Sequence, residues 1–141
     1  MNTIATFNAA TLHLSDDEFL AAFESCTLPG ALFHHADHIR LARLYVLQRG
    51  PAAPDAAATA IRRYAAHLGA AQKYHETITR FWMVLVAAAL AGDSTSTFVD
   101  FAAGNPQLFD KDVLNNYYSR AALASPIARE TWLAPDLAAL P

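Results

Sequence analysis

The sequence predicts an all-α protein, a single domain over residues 1–141 that forms a compact helical bundle of four main helices with short C-terminal helices and an extended tail. Apolar residues recur at the three- and four-residue spacing of helices, and capping or breaking residues bound each such segment. No alternation of apolar and polar residues is long enough for a sheet. A chain of this length buries about two-thirds of its unfolded surface without crosslinks.

The first two predicted helices have clear ends. Ser15 to Glu18 reads SDDE, a capping box in which the Ser15 hydroxyl and the Glu18 carboxylate each accept a backbone N–H. This helix ends before the turn signal TLPG. The second helix runs from His34 or His35 to Arg49, where Gly50 suits the C-terminal cap and Pro51 cannot continue the helix.

The third helix opens at Pro54 and Asp55 and closes at Gly69. The fourth, residues 72–91, is the longest, and its second half, FWMVLVAAALAG, is apolar on every side. That pattern predicts a helix buried all round.

After Asp93 the predicted elements are short. A brief helix lies around residues 98–101, turns follow at residues 105–106 and 110, and a last helix begins at Ser125-Pro126 and runs to Trp132 or Leu133. Residues 134–141 are expected to be extended, with Trp132 and the following Pro-Asp-Leu as the anchor of the tail.

Composition narrows the function classes. The net charge of −3 and the lack of a basic stripe argue against nucleic acid as a partner. The start of the chain lacks signal-peptide features, and the longest apolar run is too short for a bilayer, so we expect a cytoplasmic protein without a membrane partner. Only 16% of residues are charged, which leaves apolar surface and favours a homodimer. One cysteine excludes an intrachain disulfide.

Histidines cluster where the second helix begins, in FHHADHIRLARLYV at residues 33–46. His35 and His38 are three residues apart and leave the same helix face, as do His34 and His38 at a spacing of four. His34 also suits the cap position. Two imidazoles do not complete a catalytic zinc site, which usually has three protein ligands and an open position.

His75 and Glu76 supply the missing donors near the start of the fourth helix. Two helices separated by one other run roughly parallel in an up-down bundle, so both starts can meet at one end. We therefore expect His35, His38 and His75 to bind one divalent metal ion (zinc, iron or manganese), with Glu76 as general base or fourth ligand. The alternative is a structural network in which the histidines bind nothing.

Positive helix starts attract anions, and Arg40 or Arg80 can hold a carboxylate or phosphate in bidentate fashion. In NNYYSR, two adjacent tyrosines cannot both face one core, so the Tyr118 hydroxyl is a third candidate contact. The expected partner is thus a small-molecule ligand, an anionic one where these arginines take part.

Four stretches together resemble an uncharacterised family of small bacterial helical proteins: FHHADHIRLARLYV, KYHETITRFW, NNYYS and SPIARETWLAPDLAALP. The shared pattern maps to Phe33, His35 and His38, to residues 74–77 and 117–119, and to Trp132 with residues 135–137. It covers roughly residues 30–141. The resemblance implies that these positions matter together, and it implies no particular reaction.

Three functional hypotheses follow. The first is an enzyme for metal-assisted hydrolysis or a related addition on a small molecule. The second is a non-catalytic module that binds a small molecule or a protein, in which the histidines are structural. The third is a regulatory partner that docks through its alanine-rich apolar surface.

Overall fold

The helices of this protein are seen in a computed structural model that describes residues 8–93 and 97–141. Its α-helices are α1 (Ala9–Leu12), α2 (Asp16–Glu24), α3 (His35–Arg49), α4 (Ala53–His67), α5 (Glu76–Leu90), α6 (Phe98–Gly104), α7 (Arg120–Ala124) and α8 (Pro126–Glu130). Short 3₁₀ helices occupy Gly30–Leu32, Gly50–Ala52, Ala71–Lys73, Pro106–Phe109 and Lys111–Asn116. Over the described residues there is no strand, and the all-α prediction is confirmed. The bundle of four main helices stays a prediction.

Local chemistry sets most helix ends where the sequence predicts them. Ser15 Oγ accepts the Glu18 N–H at 3.0 Å, and Glu18 Oε1 accepts the Ser15 N–H at 2.8 Å, which completes the capping box of α2. Gly50 and Gly69 follow α3 and α4 with φ of 53° and 72°, a left-handed conformation that suits glycine. Cys26 adopts the same conformation after α2, with φ of 61°.

The start of α5 differs from the prediction by several residues. The helix begins at Glu76 rather than near residue 72, because a 3₁₀ turn and two extended residues precede it. His75 is the N-cap, and its Nδ1 accepts the Ile78 N–H at 3.2 Å. An imidazole takes the role that Ser, Thr, Asp or Asn usually fills.

The core lies where α3 packs against α4 and α5. The fully buried side chains include Phe81 and Val86 of α5 and Ile39 and Leu41 of α3. The prediction that α5 is buried on every side was wrong, since Ala87 and Ala88 are exposed. A methyl side chain exposes little apolar area, so alanine tolerates a surface position at small cost.

Two charged residues of α3 hold the N-terminal segment. The Arg40 guanidinium, nearly buried, donates to the carbonyls of Thr11 at 3.1 Å and Leu14 at 2.7 Å, and pairs with Asp16 at 3.1 Å. The Asp37 carboxylate accepts hydrogen bonds from Asn8 Nδ2 at 2.7 Å, Thr11 Oγ1 at 2.5 Å and the His34 N–H at 2.8 Å. Burying these charges is tolerated because each is surrounded by partners.

The C-terminal tail lies against α5 and the residues before α7. Thr77 Oγ1 donates to the Thr131 carbonyl at 2.8 Å and accepts the Leu133 N–H at 3.0 Å. Asp136 accepts the N–H and hydroxyl of Ser119 at 2.8 and 2.6 Å. Trp132 is 41% exposed, and the contact shown for the predicted Trp132 and Pro-Asp-Leu anchor is that of Asp136.

In the part of the chain that the structure describes, no helix has both the length and the apolar character needed to cross a bilayer.

Candidate functional site

A cavity of about 810 Å³ lies between the first two turns of α3 and the first two turns of α5. His35, His38, Leu41 and Ala42 line it from α3; Ile78, Thr79, Trp82 and Met83 line it from α5. The two helix starts therefore border one space. The other lining residues are Ala36 of α3, Asn8, Phe33 and His34 before α3, Ala57 and Ile61 of α4, and Phe109, Lys111 and Leu114 of the segment after α6.

His35 of α3 contacts two neighbouring parts of the cavity wall, the 3₁₀ helix Pro106–Phe109 and Trp82 of α5. Its Nε2–H donates to the Leu108 carbonyl at 2.8 Å, and its ring meets the Trp82 indole edge-on at 4.6 Å. Burial lowers the pKa of His35 by more than the hydrogen bond to Leu108 raises it. The ring is neutral, with Nδ1 as its acceptor.

His38 is a polar side chain of the cavity wall in which both ring nitrogens are available. Its ring is partly buried and packs on the Phe33 ring at 4.3 Å. Burial, followed by the nearby His35, lowers the pKa of His38 to about 4, while Asp37 acts in the opposite direction. Neither ring nitrogen bonds to a residue that the structure describes. A neutral imidazole thus offers one donor and one acceptor at the cavity wall.

His75 lies outside the cavity with both nitrogens occupied. Nδ1 accepts the Ile78 N–H, and Nε2–H donates to the Leu123 carbonyl at 2.9 Å. The residue is buried, at 8% exposure. His75 therefore joins the start of α5 to α7 and has no lone pair left for a ligand.

Glu76 is the centre of an ionic network between α4 and α5. Its carboxylate accepts from Tyr74 Oη at 2.6 Å, Arg62 Nη2 at 2.8 Å and Arg80 Nε at 2.6 Å, and Arg80 also pairs with Asp55 at 2.8 Å. Burial acts to raise the pKa of Glu76, but the bonds from Tyr74 and Arg80 and the two guanidinium charges outweigh it and leave the pKa below 4.5. Glu76 does not line the cavity.

The three predicted substrate contacts lie elsewhere as well. Arg40 is committed to the N-terminal segment, and Arg80 to Glu76 and Asp55. Tyr118 is buried; its hydroxyl donates to the Leu133 carbonyl at 2.6 Å, and burial raises its pKa to about 12. None of the three lines the cavity.

The predicted metal-ligand set does not assemble as the spacing suggested. Across residues 8–93 and 97–141, no group of three or more His, Cys, Asp and Glu side chains is arranged to hold a metal ion. His35 and His38 share the cavity, and His75 is separated because its two nitrogens bind backbone groups. A divalent ion stays a prediction that now depends on His35 and His38.

Sequence reasoning missed several cavity residues. Trp82 follows Ile78 at helical spacing, so the α5 periodicity carried a signal for it. Phe109 and Lys111 lie in 3₁₀ segments that dock on α3 through the Leu108 carbonyl and His35. No local pattern encodes that contact between residues 73 positions apart.

Comparison of the chain with protein-family models, with curated proteins and with solved structures gives no match. The resemblance to small bacterial helical proteins therefore stays a prediction. Function has to be inferred from the cavity and the side chains around it.

Proposed function

We propose that this protein binds a small, mainly apolar molecule in the cavity between α3 and α5, with His38 as its polar contact. The volume of about 810 Å³ falls within the range of roughly 300–1,000 Å³ that is typical of small-molecule sites. Such sites combine apolar walls with a few polar groups that orient the ligand. This cavity has that composition.

The His38 ring, which has no hydrogen bond to a described residue, is the observation that carries the proposal. Its nitrogens are not fully buried, so they face the cavity and can bond to a ligand there, whereas Leu or Met in the same place would offer a ligand no hydrogen bond. The other two histidines of the predicted site do have partners. A ligand that hydrogen-bonds to His38 supplies the missing partner.

The walls determine what the rest of the ligand is. Phe33, Trp82 and Met83 present aromatic rings and a flexible thioether to the cavity, and Leu41 and Ile78 add branched aliphatic surface. Burial of apolar area contributes roughly 25 cal/mol per Å², so contact with these walls is the main source of affinity. The favoured ligand has an apolar body and one group that hydrogen-bonds.

Catalysis is the second candidate, favoured by the neutral state of His38, because only a neutral imidazole accepts a proton as general base. Metal-assisted hydrolysis needs more than the cavity offers, since Glu76, the predicted base, has three partners outside it. Elemental analysis of protein purified without a histidine tag checks for a bound divalent ion.

The cytoplasmic location and the homodimer also stay predictions.

A neutral fluorescent probe tests the binding proposal. We expect N-phenylnaphthylamine to bind the wild-type protein with saturable enhancement of its fluorescence. Ile61→Trp places a large ring inside the cavity from α4 and should weaken this binding at least about tenfold. Thr59→Trp, on an exposed position of the same helix, is the matched control and should bind like the wild type.

Two results would contradict the proposal. One is a wild-type protein that gives no saturable signal with the probe. The other is equal binding by the Ile61→Trp and Thr59→Trp variants, which would place the probe outside the cavity.

A further inference from the structure

Among the side chains that line the cavity the formal charge has one sign, and the neighbouring Asp110 and Asp112 are not part of the lining. Among the described residues that line it, Lys111 is the one Lys or Arg, and none is Asp or Glu. Lys111 opens the 3₁₀ helix Lys111–Asn116, is exposed, and is close enough to His35 that its charge lowers the pKa of that ring. The cavity therefore has a cationic group beside a neutral, apolar interior.

Nearby carboxylates do not neutralise this lysine through contact. Within residues 8–93 and 97–141, Lys111 takes part in no ion pair. Asp110 accepts the Asp112 N–H at 2.9 Å, and its charge acts on His35. Asp37 is buried beneath the start of α3 with its own partners.

We propose, on the basis of the binding function above, that the ligand is an amphipathic monoanion, a carboxylic acid with an aliphatic or aromatic body. The carboxylate lies at Lys111 and the body lies between α3 and α5 against Trp82 and Met83. One lysine balances one negative charge, so a carboxylate fits better than a phosphate dianion, for which arginine clusters are typical.

The neutral histidines are compatible with this ligand. His38 keeps a donor N–H that reaches a hydroxyl, carbonyl or carboxylate oxygen of a molecule in the cavity. The starts of α3 and α5 add partial positive charge, which Asp37 and Glu76 partly offset within each first turn. Lys111 is thus the group that discriminates between an acid and its uncharged counterpart.

Three probes of equal chain length measure that discrimination: decanoate, decanol and decylammonium, at neutral pH. Quenching of Trp82 fluorescence reports binding in a Trp132→Phe background, because Trp132 is the other tryptophan and lies exposed in the tail. We expect decanoate to bind about five- to tenfold more tightly than decanol, and decylammonium more weakly than decanol. The preference for decanoate should shrink as salt is added.

The two lysines of the chain give a matched pair of variants. Lys111→Gln should remove the preference for decanoate over decanol. Lys73→Gln should keep the preference, because Lys73 is exposed and lies outside the cavity. Lys111→Glu should reverse it in favour of decylammonium.

The outcomes separate the two proposals. Equal binding of decanol and decanoate, or equal effects of Lys111→Gln and Lys73→Gln, would overturn the carboxylic acid and leave the cavity as a binding site. Failure of all three probes together with N-phenylnaphthylamine would overturn both.

Discussion

The starts of α3 and α5 carry the same residue types but are built in opposite ways. At α5, both nitrogens of His75 bind backbone groups and the Glu76 carboxylate has three partners. At α3, His35 has one hydrogen bond and His38 has none to a described residue, and both line an open space. The sequence motif and its spacing do not distinguish these two helix starts, whereas the hydrogen-bond partners of their side chains do.

The difference follows from what covers each helix start. The first turn of α5 lies beneath the C-terminal part of the chain, where the Leu123 carbonyl and the tail residues Thr131 and Leu133 meet it. The first turn of α3 is bordered by the 3₁₀ segments of residues 106–116, which contact it through Leu108 and leave a cavity beside His38. Side chains whose polar atoms all bond to the protein stabilise the fold, whereas polar atoms that face a cavity are available to a ligand.

Replacing Glu76, whose carboxylate has three partners at the start of α5, should have the largest effect on the free energy of unfolding. Glu76→Ala removes three hydrogen bonds to one carboxylate, and because Arg62 is about half exposed and Arg80 keeps Asp55, the loss should be about 2–3 kcal/mol. Urea unfolding of this variant and of Glu130→Ala, an exposed carboxylate of α8, measures the difference. A loss of under about 1 kcal/mol for Glu76→Ala would mean that the network is not structural.

As pH falls, the contribution of His38 to the free energy of unfolding should be lost before that of Glu76. Burial lowers the pKa of His38 from 6.5 to about 4, so between these values the unfolded chain binds more protons than the folded chain. Stability is therefore complete above pH 6.5 and falls as pH drops toward 4, by on the order of 2 kcal/mol. Glu76, whose folded pKa lies below 4.5, loses its contribution only at lower pH.

His38→Phe is the control for this pH dependence. Unfolding free energies measured at intervals from pH 7 to about 4 should decline less steeply in the variant than in the wild type. Part of the slope remains, because burial also lowers the pKa of His35. Identical slopes would show that His38 is not held in its neutral form by the fold.

The cap of α5 should give the next largest effect. His75→Ala loses the bond to Ile78 N–H and the bond to Leu123, about 2 kcal/mol together. His75→Asn restores the cap alone and should recover about half of that loss in urea unfolding. Equal stability of the two variants would contradict the capping role.

Much of the fold could be predicted because its signals are local. Ser15 with Glu18, Gly50 and Gly69 mark their helix ends within the residues that form them. The α5 start was misplaced because histidine is an unusual N-cap. The site was only half predicted, since the carbonyls that occupy His35 and His75 lie 73 and 48 residues away. Spacing along one helix contains no information on such partners.

At pH 7, His38→Phe should have the smallest effect on the free energy of unfolding and a clear effect on ligand binding. His38→Phe removes a ring without internal partners and adds an apolar one beside Phe33, so the unfolding free energy should change by less than about 1 kcal/mol. The same variant should bind decanol several-fold more weakly, because the hydroxyl of decanol then loses its hydrogen bond to His38. If His38→Phe instead unfolds the protein as readily as His75→Ala does, the two helix starts are equivalent and the cavity loses its polar contact.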